Sequence, residues 1–317
     1  EEFGKEVHAY AAAYSEADFE ELLTLCDEID FNSFNQLERF RAAIQRGRRD
    51  ACGTEIKFGL RINPECSTQD PAHAIYDPCA PGSRLGIRRK DFEFQSLESK
   101  SHTKCVSGLH FHTLCEQNAD DLKKTLQAVE QQFGDILPQM QWVNFGGGHH
   151  ITRDDYDIDL LVKLINDFKA KYDVQVILEP GEAVAFNTGV LVASVLDVLD
   201  NDGAIAILDV SCTCHMPDVL EMPYRPEITG AGAPNEKAYT YKLAGLSCLA
   251  GDVIGDYSFD APQQVGDLIE FQDMAHYSMV KTTFFNGVQH PAIGIKRGDQ
   301  IEMVRTFNYE DYKGRLA

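Results

Sequence analysis

The sequence predicts an α/β domain followed by a β-rich domain, and three observations support this. Short apolar runs alternate with amphipathic stretches through the first 188 residues. Residues capable of chemistry recur where those runs end, which is where parallel α/β folds keep their ligands. After Thr188 helical periodicity becomes scarce, and Gly, Asp and Pro separate short apolar runs, as in an antiparallel domain. The expected domains are 1–188 and 189–317. From pattern alone, the first fits either a doubly wound sheet or a barrel.

The elements follow in order. The run 7–14 reads as a strand, and Ser15-Glu16-Ala17-Asp18 resembles a capping box opening a helix through Cys26. A second strand is expected at 29–32, a helix at 35–46 and a third strand at 56–63, ended by Pro64. A loop rich in Pro, Gly and Cys then runs to about Arg84. Strands are expected at 106–112, 142–145 and 174–178, with helices at 120–132 and 155–171 between them. In the second half, 190–199, 204–210, 238–244, 268–271 and 279–285 read as β segments.

Composition narrows the function. The chain has 317 residues, enough to bury a core without staples. Lys and Arg number 29 against 50 Asp and Glu, a net charge of −21. Such a surface repels phosphate backbones and anionic lipid, which argues against nucleic-acid and membrane partners, and it is compatible with a cationic ligand. Nine scattered cysteines with no C-x-x-C pair read as reduced thiols, so a cytoplasmic enzyme is expected. The opening residues do not form a signal peptide.

Four constellations can carry chemistry. Gly146-Gly147-Gly148 follows a strand, and its backbone N–H groups can approach a phosphate; a tight turn is the plain alternative. In Gly108-Leu109-His110-Phe111-His112, strand alternation puts both imidazoles on one face. With His149 and His150 they could be core residues, a stacking partner for an aromatic cofactor, or, least favoured, metal ligands. Glu179-Pro180-Gly181-Glu182 ends a strand and presents a carboxylate that could pair with a pyridine nitrogen or cap a turn. In the second half, Cys248 and Asp252 share a loop punctuated by glycines, and Asp218 and Tyr277 could meet a substrate cation and a phosphate.

The order of these signals carries more than any one of them. H-F-H, G-G-G and E-P-G, then a Cys/Asp loop and F-Q-D-M-A-H-Y, resemble the fold-type III pyridoxal-phosphate decarboxylases. Four stretches are similar within that superfamily to the carboxynorspermidine decarboxylase family: GLHFHTLCEQ (108–117), VNFGGGHH (143–150), EPGEAV (179–184) and CHMPDVLEMPYRP (214–226). The resemblance implies a (β/α)8 TIM-type barrel of the alanine-racemase kind plus a mostly antiparallel β domain. It implies pyridoxal 5'-phosphate as cofactor and decarboxylation of carboxynorspermidine or carboxyspermidine in polyamine biosynthesis.

By the same resemblance, His112 stacks on the cofactor ring, Arg61 lies nearby, Gly146, Gly147, Gly148 and Tyr277 hold the phosphate, and Glu179 pairs with the ring nitrogen. Where the ornithine enzymes carry an Arg after E-P-G, this chain has Glu182, so Glu182 and Asp218 are expected on the cationic polyamine chain. Cys248 and Asp252 would reach the site from the neighbouring subunit of a homodimer, Cys248 donating the proton and Asp252 contacting substrate. Only six barrel strands are legible where eight are expected. The family's Schiff-base lysine is expected upstream of Glu1, since Lys5, Lys57, Lys104 and Lys281 all lie outside its motif. The alternatives are a diaminopimelate- or ornithine-type decarboxylase, a non-catalytic protein that binds pyridoxal phosphate or polyamine, and a metal-dependent hydrolase using the histidines.

Overall fold

The computed structural model describes residues 5–46, 56–92 and 106–316. Lys104 lies outside them. The chain divides into two compact units between Val184 and Ala185.

In the first unit, β1 (His8–Tyr10), β2 (Glu28–Phe31), β3 (Lys57–Asn63), β5 (Val106–His110), β6 (Trp142–Asn144) and β7 (Gln175–Ile177) form one parallel sheet. A two-residue strand, β4 (Ile87–Arg88), pairs with the end of β3 and was not legible in the sequence. The spatial order β1-β2-β3-β5-β6-β7 follows chain order with no reversal. A doubly wound sheet reverses direction at a switch point, whereas a barrel adds each strand beside the last. The order therefore selects the barrel, here a parallel half-barrel.

Ser15 caps the first helix, Glu16–Leu25, by accepting from the Asp18 N–H, as the capping-box reading expects. The helix expected at 35–46 is two helices, Phe34–Arg39 and Arg41–Arg46, broken at Phe40 (φ −93°, ψ 4°). The break lets the Phe40 ring stack on Phe19 at 4.2 Å, and the packing outweighs helix continuity. Helices Ala119–Phe133 and Ile158–Tyr172 are capped by Asn118 and Asp157. Both lie within a turn of their expected ends.

The sheet has two chemically distinct faces. Ile29, Phe31, Phe58, Leu60, Leu109 and Val143 are buried in the apolar core. Because strand side chains alternate, the intervening positions form the other face. Across adjacent strands these are Asp30, Gly59, Gly108 and Trp142 in one layer and Arg61, His110 and Asn144 in the next. A Cβ on Gly108 would fall 2.0 Å from the Trp142 ring, so the glycine makes room for the indole.

The second unit holds a five-stranded sheet ordered β11 (Val253–Phe259), β10 (Tyr239–Ala244), β9 (Ala204–Leu208), β8 (Leu191–Asp200) and β12 (Leu268–Phe271). All its pairs are antiparallel except β9 with β10. A separate antiparallel hairpin joins β13 (Ile293–Arg297) to β14 (Gln300–Arg305). The β segment expected at 279–285 is not a strand: Tyr277–Val280 is one helical turn, followed by a 3-10 turn at Phe285–Gly287. Met279 and Val280 are exposed there, so an apolar run without strict alternation misled the pattern.

Candidate functional site

The site lies at the carboxyl ends of β3, β5, β6 and β7. At the end of β6, Asn144 accepts from the Gly146 N–H (2.8 Å) and donates to Glu179 Oε1 (2.8 Å). The Glu179 N–H in turn donates to the Gly146 carbonyl at 2.9 Å. One amide side chain thereby ties the glycine loop to the carboxylate. Asn144 was quoted within its motif but not assigned a role from sequence.

The glycine loop is required by its backbone. Gly146 and Gly148 have φ of +72° and +77°. A Cβ on Gly148 would fall 2.1 Å from the Leu114 carbonyl, and one on Gly147 2.5 Å from the Glu179 carbonyl. Glycine suits this turn, in which the Gly146 N–H is taken by Asn144 and the Gly147 N–H by His112.

His112 stands beside the loop. The Gly147 N–H donates to its Nδ1 at 3.3 Å, and Arg61 donates to its carbonyl at 3.1 Å. Burial, then the Arg61 charge, pushes the imidazole down to about 4, so it is neutral at pH 7. Arg61 is buried, with its guanidinium 4.6 Å from the Tyr10 ring centre.

Glu179 brings a carboxylate to the same group. Burial alone would raise its carboxyl, but His110 and Asn144 prevail and bring it down to about 2. Behind it, His110 Nε2 lies 3.5 Å from Glu179 Oε2, and His110 Nδ1 lies 3.1 Å from Asp30 Oδ2. Asp30 was missed in the sequence. The available signal was the spacing Glu28-Ile29-Asp30, two acids at period two within a strand.

Of the four histidines considered together, only His110 and His112 lie with Glu179 close enough, within 4.8 Å, to share a metal ion. His110 faces a carboxylate on each side, and we assign none of the three as a ligand. His149 is buried, and burial pushes it down to about 4. Glu182 opens the short helix Gly181–Ala185 and is half-buried. Lys57 contacts Glu6 at 3.6 Å.

The remaining candidates belong to the second unit. The Asp218 carboxylate pairs with Lys281 Nζ at 2.5 Å, and Glu221 lies 3.7 Å from the same ammonium. The Lys281 ammonium is 5.7 Å from the centre of the half-exposed Tyr277 ring. Cys248 is exposed, its thiol donating to Asn286 Oδ1 at 3.4 Å. Asp252 is placed differently from a substrate ligand. It is 3% exposed and accepts from Ser211 Oγ (2.7 Å), the Cys212 N–H (2.7 Å) and the Ser247 N–H (3.1 Å). Its carboxylate is saturated, and it braces the Cys248 loop against the turn at 211–215.

The chain is similar to known proteins. The family model described as "Pyridoxal-dependent decarboxylase, C-terminal sheet domain" matches residues 23–275. A carboxyaminopropylagmatine decarboxylase from Synechocystis is 46% identical, covering 100% of this chain and 79% of that protein. A carboxynorspermidine/carboxyspermidine decarboxylase from Campylobacter jejuni is 43% identical, over 98% of this chain and 80% of that one. The fold is similar to the crystal structure of carboxynorspermidine decarboxylase from Campylobacter jejuni complexed with norspermidine (TM-score 0.85, 42% identity, 98% of this chain and 81% of that chain).

Proposed function

The chain belongs to the pyridoxal-dependent decarboxylases, and on that footing we propose that it removes the carboxylate of carboxynorspermidine or carboxyspermidine to release norspermidine or spermidine. The 43% identity with the Campylobacter enzyme over 98% of the chain carries this reading. A second substrate, carboxyaminopropylagmatine, is favoured by the 46% identity of the Synechocystis relative. The two differ at the end remote from the carboxylate, an amine against a guanidinium. Initial rates of CO₂ release across these substrates, diaminopimelate and ornithine test the reading. We expect the highest kcat/KM on a carboxylated polyamine. Activity confined to diaminopimelate or ornithine would overturn it.

The residues present fit pyridoxal phosphate. The loop Gly146–Gly148 would crowd any side chain and suits a phosphate. His112 is neutral and suits an aromatic face, and Glu179 is an anion suited to a protonated ring nitrogen. We assign Arg61 to the same end of the site and, from the resemblance, Tyr277 to the phosphate. When bound, the group supplies a sink for the electron pair left on the substrate carbon as CO₂ departs.

Glu179 holds the proton at the ring nitrogen, because a carboxylate held near 2 cannot take that proton at neutral pH. Asn144 and His110 orient Glu179. Cys248 donates the proton that replaces carboxylate, and Asn286 aims the thiol. Glu182 and Asp218 attract the cationic chain, with Lys281 yielding Asp218 when substrate arrives. Asp252 acts through the Cys248 loop. We further propose a cytoplasmic homodimer in which Cys248 completes the neighbouring subunit's site. Mixing Glu179→Ala with Cys248→Ala protein should then restore activity that neither variant has alone. Mixtures that stay inactive after subunit exchange would contradict it. Among the described residues, no helix is long and apolar enough to cross a membrane.

A further inference from the structure

On the polar face of the half-barrel, two acids bracket one imidazole. Asp30 projects from β2, His110 ends β5 and Glu179 follows β7. The Asp30 side chain is 4% exposed and the His110 side chain 1%, while that of Glu179 is 37% exposed. The row therefore runs from the interior to a carboxylate that opens outward. An isolated buried acid or imidazole favours its neutral form. Two carboxylates flanking one ring, at 3.1 and 3.5 Å, reverse that preference for the ring.

The surroundings preserve the row. A Cβ on Gly59 would fall 2.0 Å from Asp30 Oδ1, so a glycine on β3 is what gives this acid its place. From β1, the Tyr10 ring stands edge-on to His110 with centres 5.1 Å apart. The Tyr10 hydroxyl donates to Asn32 Oδ1 at 2.8 Å, which fixes that wall.

We propose that His110 is a positioning residue for decarboxylation: clamped between Asp30 and Glu179, it is the cation that keeps Glu179 ionised and aimed at the cofactor's ring nitrogen. This rests on the decarboxylase reading for its purpose, though not for its geometry. Other charges also bear on His110. Its charge is felt by two further groups: it lowers Glu28 on β2 and His112, two residues past the end of β5, while Arg61 is its register neighbour on β3. Burial lowers the imidazole, yet the contacts with Asp30 and Glu179 outweigh burial and raise it above 6.5.

The first test needs no cofactor. Histidine ring resonances of the cofactor-free protein are followed against pH by NMR, with His110 assigned by its loss in His110→Gln. His110 should titrate above 6.5, and Asp30→Asn should bring it down by about 1–3 pH units. A His110 that is neutral at pH 6.5, or indifferent to Asp30→Asn, overturns the proposal.

The second test uses the holoenzyme. In His110→Gln, kcat should fall at nearly unchanged KM, and the acid limb of the kcat profile should move up by about 1–3 pH units, as Glu179 loses its cation. A wild-type profile in that variant overturns the proposal. The two readings fail separately. A high-titrating His110 in a protein that releases no CO₂ from any carboxylated polyamine overturns the function and leaves the charge row standing. An active enzyme whose His110 titrates low overturns the row alone.

Discussion

Glu179 owes its low titration to two neighbours rather than to exposure, and the same logic runs through the other charged residues of the chain. Its folded value lies below the ordinary 4.5, so the stability it contributes is full above 4.5 and is lost as pH falls toward about 2. Asp218 is held by Lys281, and on the proposed reading a substrate ammonium displaces this internal one. Asp218→Asn and Glu182→Gln should each weaken the long substrate by roughly 1.5–3 kcal/mol, the worth of a charged hydrogen bond. The expected signature is a raised KM on the polyamine substrate, and an unchanged KM for both would remove them from the binding site. That His112 and Glu179 come together was legible because their motifs each end a strand of one sheet. Asp30 was not, because an acid in a short strand reads as an edge position until its neighbours across the sheet are known.

At the scale of elements, the glycine loop is constrained by its backbone at the residues proposed to hold the phosphate. Gly148→Ala must place a side chain at φ +77° with its Cβ 2.1 Å from a carbonyl oxygen. The left-handed conformation alone costs about 1–2 kcal/mol, and the overlap adds to it. The variant should unfold at lower urea and retain cofactor poorly. Wild-type stability with full cofactor content would show that the loop relaxes freely. Strand and helix positions in the first unit were legible because each β-α repeat switches periodicity cleanly. Other features were not, for different reasons, and the two-residue β4 is too short to leave a pattern. The break at Phe40 comes from ring stacking across elements, which no local pattern contains. The turn at Tyr277–Val280 is an apolar run too short to distinguish strand from helix.

At the scale of the whole molecule, sheet order settled what composition left open, since alternation fits a doubly wound sheet as well as a barrel. The interior of the half-barrel also carries a pH dependence of its own. Glu28 is 1% exposed, and burial, then Asp30, pushes it up to about 8. Its folded value is above the ordinary 4.5, so folding takes up a proton. The stability this group allows is full below 4.5 and declines as pH rises toward 8, by up to about 1.4 kcal/mol per unit. Glu28→Gln should match wild type near pH 5 and exceed it near pH 8 in urea midpoint. An equal gap at both pH values would show that Glu28 is ionised in the folded protein.

The most direct test of the central claim, an ionised Glu179 paired with the cofactor's ring nitrogen, is the separate measurement of kcat and KM for Glu179→Ala on carboxynorspermidine. Loss of an interaction made chiefly in the transition state should lower kcat by about 100-fold or more while KM changes little. An unchanged kcat would contradict it.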